Sequence, residues 1–296
     1  MPSSTTLHDG VMPAQEHQIS QLLMCPMEIQ LVESLSHAAV ETSRSAPQRV
    51  QESPRLVATW ARHEDEVREA QRLRYEVFAD EMGASLPTHD GLPGRLDVDR
   101  FDAFCEHLVV RTVETEHTES TVVGTYRVLT PSGARQAGSL YSDGEFDLSA
   151  LDHVRHDLAE LGRSCIASQW RTGGVILLLW SQLVTFMNRN QLHKMIGCAS
   201  VGMRDGGHVA ASLWQQLSQS HLSEPQWRVT PRLALPVDEL QSDLKVEPPP
   251  LIKGYLNCGA KVLGAPAWDP DFGTADLPMM LDLKDLPAAY RRRFKC

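Results

Sequence analysis

Apolar residues change their spacing along this chain at about Arg55. Before that point, residues 1 to about 52 are rich in Ser, Thr, Gln, His and Glu with scattered Pro, a composition that predicts a mostly disordered extension. Within it, Ile19, Leu22, Leu23, Met27 and Leu31 recur at near-helical spacing, but Pro26 interrupts them. The stretch reads as a solvated or loosely docked segment rather than a membrane-binding helix. From Leu56 to Trp60 the pattern becomes that of a strand, and His63 to Glu81 reads as a helix with Val67, Ala70, Leu73, Val77 and Phe78 along one side.

The spacing then shortens to a period of two. Glu106 to Val113 and Thr121 to Leu129 are β-branched and alternating, and the polar run Glu114–Ser120 joins them as a hairpin. Ser164–Ser168 reads as a strand, Gly174 to about Gln191 as a helix, Lys194–Val201 as a strand and His208–His221 as a helix. Pro248, Pro249 and Pro250 lead into a short helical stretch through Leu256. Strands are expected at Lys261–Leu263 and Met279–Leu283, on either side of a polar loop from Asp269 to Asp276. These elements predict a single α/β domain over residues 53–296, with a mixed sheet carrying helices on both faces, and no internal repeat.

Composition narrows the function classes. A length of 296 residues with 42% hydrophobic content supports a sizeable core. A net charge of −10 argues against nucleic acid as a partner, because phosphate binding needs clustered Lys and Arg. The six cysteines show no CxxC spacing and no paired His ligands, so they read as reduced thiols of a cytoplasmic protein rather than a metal site. The longest unbroken apolar run, Val175–Trp180, is far below the roughly 20 residues of a membrane span. No segment has the basic start and apolar core of a secretory leader.

Against this background Arg74, Asp102, Arg127 and Glu160 stand out. Each is a polar residue at or beside a position where the local pattern expects a buried face, and they fall in separate elements, which is how active sites are assembled. Glu160-Leu-Gly-Arg163 opens an apolar strand that runs into Trp170-Arg-Thr-Gly-Gly174 and a long apolar helix. A carboxylate and a guanidinium at such a passage can do proton and anion chemistry.

In order along the chain, Arg74-Tyr-Glu-Val-Phe78, Asp99-Arg-Phe-Asp102, Gly124-Thr-Tyr-Arg127 and Glu160-Leu-Gly-Arg163 resemble the signature of acyl-homoserine-lactone synthases and their acyl-carrier-protein-dependent relatives, with a GNAT-like fold. Ile196-Gly-Cys-Ala-Ser200, Pro249-Pro-Leu-Ile-Lys-Gly-Tyr255, Pro266-Ala-Trp-Asp-Pro-Asp-Phe272 and Thr274-Ala-Asp276 are similar to the L-ornithine Nα-acyltransferase branch, the enzymes of ornithine-lipid synthesis. The resemblance runs from about Arg55 to the C-terminus. It implies transfer of a 3-hydroxyacyl chain from the phosphopantetheine thioester of acyl-carrier protein to the α-amine of L-ornithine, with no other cofactor bound.

That chemistry assigns expectations to residues. An α-amine has a pKa near ~8 and needs a base before it can attack, for which Glu160 is the candidate. A salt bridge with Arg163 is the competing role, disfavoured because residues three apart on a strand face opposite ways. Arg127 and Arg163 are expected to anchor the site, either on the pantetheine arm or in a buried ion-pair network with Asp99 or Asp102. Arg74 lies near the buried side of the first helix, and Phe78, one turn on, packs in the core or lines a pocket wall. Thr172, Gly173 and Gly174 occupy the place of a phosphate-binding loop, in degenerate form. Asp269, Asp271 and Asp276, with Lys253, are the candidates for holding the two ends of ornithine. The helix from Val175 through Trp180 to Phe186, with Met195 and Ile196, packs the core or borders an acyl tunnel. Arg291-Arg-Arg293 with Lys295 offers a basic surface to the acidic carrier protein or to anionic lipid. An amphiphilic product implies peripheral membrane contact. Two alternative functions are an N-acyltransferase for another amine, including glycine or the lactone-synthase substrate, and a non-enzymatic, haemolysin-like membrane protein.

Overall fold

The computed structural model describes residues 55–86, 94–116, 118–171 and 173–294. The expected N-terminal extension, Thr172 and Lys295 lie outside these residues.

The chain enters on strand β1 (Leu56–Trp60) and helix α1 (Glu64–Tyr75), whose first turn is acidic at Glu64, Asp65 and Glu66, the charge that the helix dipole favours there. The sequence predicts one helix through Glu81, but the last six residues, Glu76–Glu81, wind as a π-helical segment. A β-hairpin follows, β2 (Glu106–Thr112) and β3 (Val122–Leu129). Residues 131–157, for which the apolar pattern predicts no element, fold into α2 (Pro131–Ala137), α3 (Ser142–Glu145), the short β4 (Phe146–Asp147) and a 3-10 stretch.

The second half brings β5 (Leu158–Ile166), α4 (Gly174–Arg189), β6 (Lys194–Gly202) and α5 (His208–Ser220). It ends with β7 (Thr230–Pro231), α6 (Pro250–Asn257), β8 (Lys261–Val262), β9 (Ala267–Asp269), β10 (Thr274–Asp282) and α7 (Ala288–Phe294). The main sheet runs β1-β2-β3-β5-β6-β10-β8, with β9 also on β10. All its pairs are antiparallel except β5 with β6, so the sheet is mixed.

The expected polar loop at 269–276 is half strand. Asp269 ends β9 and Asp276 lies inside β10, both buried, while only residues 270–273 form the turn. Alternation misses this because β10 is covered on both faces, as is β3, which is buried at every residue. In β2, Leu108 and Val110 pack with Val175 and Leu179 of α4, whereas Val109 packs with Ala70 and Leu73 of α1. The two helices therefore cover opposite faces. Gly124 on β3 lets α4 come close, since a Cβ there would lie 2.4 Å from Val175 Cγ1.

Two features of β5 shape everything that follows. Its parallel pairing with β6 is registered only from Leu158–Lys194 to Glu160–Ile196, and the strands then part. At the gap, Gly197 accepts the carbonyl oxygen of Leu161 where a Cβ would sit only 2.4 Å from it. On the other edge, the register with β3 shifts between Thr125 and Arg127, and Arg163 takes a left-handed backbone with φ 51°. For a residue with a Cβ such a conformation costs of order 1–3 kcal/mol and is held by its surroundings.

Candidate active site

Below the gap lies a closed set of charges. Arg74, with no exposed surface, donates Nε to Asp97 at 2.7 Å and both terminal nitrogens to Asp102 at 3.0 Å. Arg127 reaches Asp99 at 2.6 Å and Asp102 at 2.9 Å, and Arg163 reaches Asp97 and Asp99, each at 3.1 Å. Gln71 donates to Asp102 at 3.1 Å, and the His107 imidazole lies 3.0 Å from the Asp102 carbonyl. Three guanidinium groups thus face three carboxylates. Burial works against the Asp102 carboxylate, but Arg74 and then Arg127 overcome it and hold it well below the usual range. Burial likewise opposes the charge on Arg127, and Asp99 and Asp102 more than restore it. All three arginines are engaged here and tie α1, β3 and β5 together. Asp97, central to the network, lies outside the quoted motifs and follows a Gly-Arg-Leu loop with no periodicity to mark it.

Glu160 sits at the last registered pair before the gap and is 4% exposed. Its Oε2 accepts the Tyr141 N–H at 2.6 Å, and its Oε1 accepts the Ser142 N–H at 2.7 Å together with the Ser142 hydroxyl. Burial pushes its pKa above the ordinary glutamate range in spite of these donors. It makes no ion pair with Arg163, but the geometric reason differs from strand alternation. The irregularity in β5 turns Arg163 onto the face that Glu160 shares, where its guanidinium lies 5.1 Å from the Tyr141 ring centroid and 4.7 Å from that of Phe272. Asp97 and Asp99 then claim it. Tyr141 and Ser142 belong to a stretch without apolar rhythm, and the one sequence hint is the capping-type spacing Ser142-Asp-Gly-Glu145.

Beside Glu160 stands a group of carboxylates. Asp269 is held by the N–H groups of Asp271 and Phe272, each at 3.0 Å, and faces the Tyr141 hydroxyl at 3.5 Å. Asp276 accepts the Thr274 hydroxyl at 3.0 Å, and its pKa is pushed up to about 6 by burial and then by Asp269. Glu145 rises to about 7 for the same reasons, burial first, then Asp269, Asp276 and Asp271. Asp271 itself is exposed. Lys253 does not join this group through any contact among the described residues, pairing instead with Glu247 at 3.2 Å on the exposed side of α6.

On the α4 side of the gap an apolar cavity holds about 650 Å3 of empty space, its open mouth included. Leu161, Gly197 and Cys198 form the edge next to the gap, Trp180 and Leu183 one wall, and Phe294 of α7 another part of the lining. Cys198 links this cavity to the carboxylate, because its Sγ lies 3.5 Å from the Ser142 hydroxyl that Glu160 holds. Burial raises the Cys198 thiol far above its ordinary pKa, so it stays protonated. Phe78 is buried against Phe272 in an edge-to-face contact with centroids 5.8 Å apart. Gly173, left-handed at φ 95°, precedes Gly174, the first residue of α4. Cys105, Cys165, Cys198 and Cys258 are free thiols. No group of His, Cys, Asp and Glu among the described residues could hold a metal, and no described helix is long and apolar enough to cross a membrane.

A mixed sheet that parts at one parallel pair, with a buried carboxylate at the fork and an apolar cavity behind it, defines an acyltransferase of the GNAT type. The acetyltransferase (GNAT) domain family matches residues 73–181. The chain is 33% identical over 243 residues to an L-ornithine N(alpha)-acyltransferase of Agrobacterium fabrum, covering 78% of this chain and 82% of that protein. It is 31% identical over 285 residues to the protein of the same name from Rhizobium meliloti, covering 89% and 95%. The chain belongs to the L-ornithine N(alpha)-acyltransferase family. A solved N-acyl amino acid synthase from uncultured soil microbes is a more distant likeness, with a TM-score of 0.48 and 12% identity over 78% of this chain and 93% of that one.

Proposed function

We propose that this protein moves a 3-hydroxyacyl chain from acyl-carrier protein to the α-amine of L-ornithine, yielding lyso-ornithine lipid. The observation that carries the reading is the junction at Glu160. There a buried carboxylate, the acid group around Asp269 and Asp276, and the apolar cavity meet through Ser142 and Cys198. The acyl chain enters the cavity, its thioester lies in the gap between β5 and β6, and ornithine approaches from the carboxylate side.

In this reading the ammonium at the end of the ornithine side chain lies among Asp269, Asp276 and Glu145. The pKa values of Glu145 and Asp276 are raised by burial first and then by the neighbouring carboxylates, and a cation among them would relieve both. Glu160 takes the proton from the α-ammonium, directly or through one water. Its Oε2 accepts one N–H and so keeps a lone pair for the task. The free amine attacks the thioester carbon, and the negative charge that develops on oxygen is met by backbone N–H groups along the parted edges of β5 and β6, each such donor being worth about 3–4 kcal/mol. As the intermediate collapses the C–S bond breaks and the attacking nitrogen, now cationic, gives up its extra proton to the departing pantetheine sulfur, leaving an amide and a thiol. In this reading transfer is direct, from thioester to amine, without an acyl-enzyme. Arg74, Arg127 and Arg163 act by fixing the elements around the gap rather than by touching substrate.

The phosphopantetheine arm is the donor group, its phosphate near Gly173 and Gly174 at the start of α4. Arg291, Arg292 and Arg293, exposed on α7, form the docking face for the acidic carrier protein. The amphiphilic product places the enzyme at a membrane surface on the cytoplasmic side. The test is purified protein with 3-hydroxyacyl carrier protein and ornithine, followed by mass spectrometry. A lyso-lipid is expected from wild type, and Glu160→Gln should lower turnover by about 10²- to 10⁴-fold while the fold persists. A wild-type enzyme that acylates some other amine in preference to ornithine would overturn the acceptor assignment.

A further inference from the structure

The cavity behind the gap is apolar apart from one built feature. Tyr126 of β3 and Tyr255 of α6 both line it, and their hydroxyls are hydrogen-bonded to each other. Tyr126 is 2% exposed and also bonds Ser164. Burial raises the pKa of both phenols, so both remain protonated at neutral pH.

A tyrosine hydroxyl offers one donor and two acceptor positions. One bond between the two, and one to Ser164, leave acceptor capacity on the pair, in a cavity whose other lining side chains are apolar apart from the thiols of Cys198 and Cys258. A straight hydrocarbon chain would leave that capacity unused, while a chain bearing a hydroxyl would fill it. The pair is held rigidly enough to discriminate. Trp180 stacks on Tyr255 with ring centroids 5.7 Å apart, and this is possible because residue 254 is glycine, where a Cβ would meet the Trp180 ring at 2.3 Å. Tyr126 stands on β3 between the two register pairs that flank the irregularity in β5, Thr125–Cys165 and Arg127–Gly162. Its backbone is thus one strand from the gap.

We propose that the Tyr126–Tyr255 hydroxyl pair is the specificity device of the acyl site, accepting or donating a hydrogen bond to a hydroxyl close to the thioester carbonyl of the donor chain. The proposal rests on the reading that this cavity holds the acyl chain. One neutral hydrogen bond of about 1 kcal/mol corresponds to roughly a five- to tenfold preference, and a stranded buried hydroxyl adds to it.

The experiment compares 3-hydroxypalmitoyl and palmitoyl carrier protein as donors to ornithine, for wild type, Tyr126→Phe and Tyr255→Phe. Wild type should prefer the hydroxylated donor by about tenfold in kcat/KM. Each Phe variant should lose several-fold more rate with the hydroxylated donor than with the plain one, so that the preference collapses. A competition on unmodified enzyme, with both donors present and the products weighed by mass spectrometry, reads the preference without any variant. Equal use of the two donors by wild type overturns the proposal, as does a Phe variant that slows both donors alike. Failure of wild type to acylate any amine from either donor would instead sink the acyltransferase reading beneath it.

Discussion

Asp276→Asn isolates the charge at the acceptor side. Asp276 is 3% exposed, and burial raises its pKa from an ordinary 3.8 to about 6. At about 1.36 kcal/mol per unit, the empty site forfeits about 3 kcal/mol of folding stability when this group is ionised. Below about pH 4 the carboxyl is protonated in both folded and unfolded chains and the penalty is absent. Between about pH 4 and 6 the unfolded chain releases its proton while the folded one retains it, so stability declines through this window and stays reduced above it. An asparagine carries no charge at any pH. The amide must also satisfy the Thr274 and Ser200 hydroxyls, which returns part of the gain. Melting curves of the ornithine-free protein should therefore show Asp276→Asn gaining several degrees over wild type at pH 8 and only about a third of that gain at pH 4.5. Steady-state assays at pH 8 should show KM for ornithine rising by about tenfold or more, since the cation loses a buried partner. A variant whose melting temperature tracks wild type at both pH values, or whose KM for ornithine is unchanged, would refute the claim that this charge is kept at a stability cost in order to bind a cation.

Three further perturbations probe the frame around that site. Arg74→Leu strands Asp97 and Asp102 in the interior and should cost about 3–5 kcal/mol in denaturant unfolding, so an unchanged midpoint would show that the six-charge network does not brace the fold. Gly197→Ala forces a methyl to 2.4 Å from the Leu161 carbonyl oxygen. Because the obstacle is backbone, the gap itself must change width, and turnover should fall more than about tenfold for a stability loss of about 1–3 kcal/mol. Reversing Arg291, Arg292 and Arg293 to Glu should raise KM for the carrier-protein donor in a salt-dependent manner while leaving a small pantetheine thioester unaffected. Equal loss with both donors would remove α7 from the docking role.

The amino-acid sequence by itself determined the central elements and the sequence motifs around the gap. The apolar periods located α4, α5, the β2–β3 hairpin and the start of α1 to within a few residues, because each of these buries a continuous face whose rhythm is local. It also singled out Arg74, Asp102, Arg127 and Glu160, since a charge on a face that ought to be buried is a contradiction visible without coordinates. Tertiary structure alone decided what those charges do. Asp97 joins the network through a loop, Tyr141 and Ser142 reach Glu160 from a stretch with no apolar rhythm, and Asp276 lies in a strand whose two covered faces hide its alternation. Arg163 shares a face with Glu160 only because β5 departs from regular register beside it, and the gap exists only because β5 and β6 part after Glu160 and Ile196. Likewise Tyr126 and Tyr255, 129 residues apart, become a pair only when α6 is laid over the cavity. Periodicity reports how one segment meets its surroundings, whereas a pairing between distant segments is a property of the packed chain.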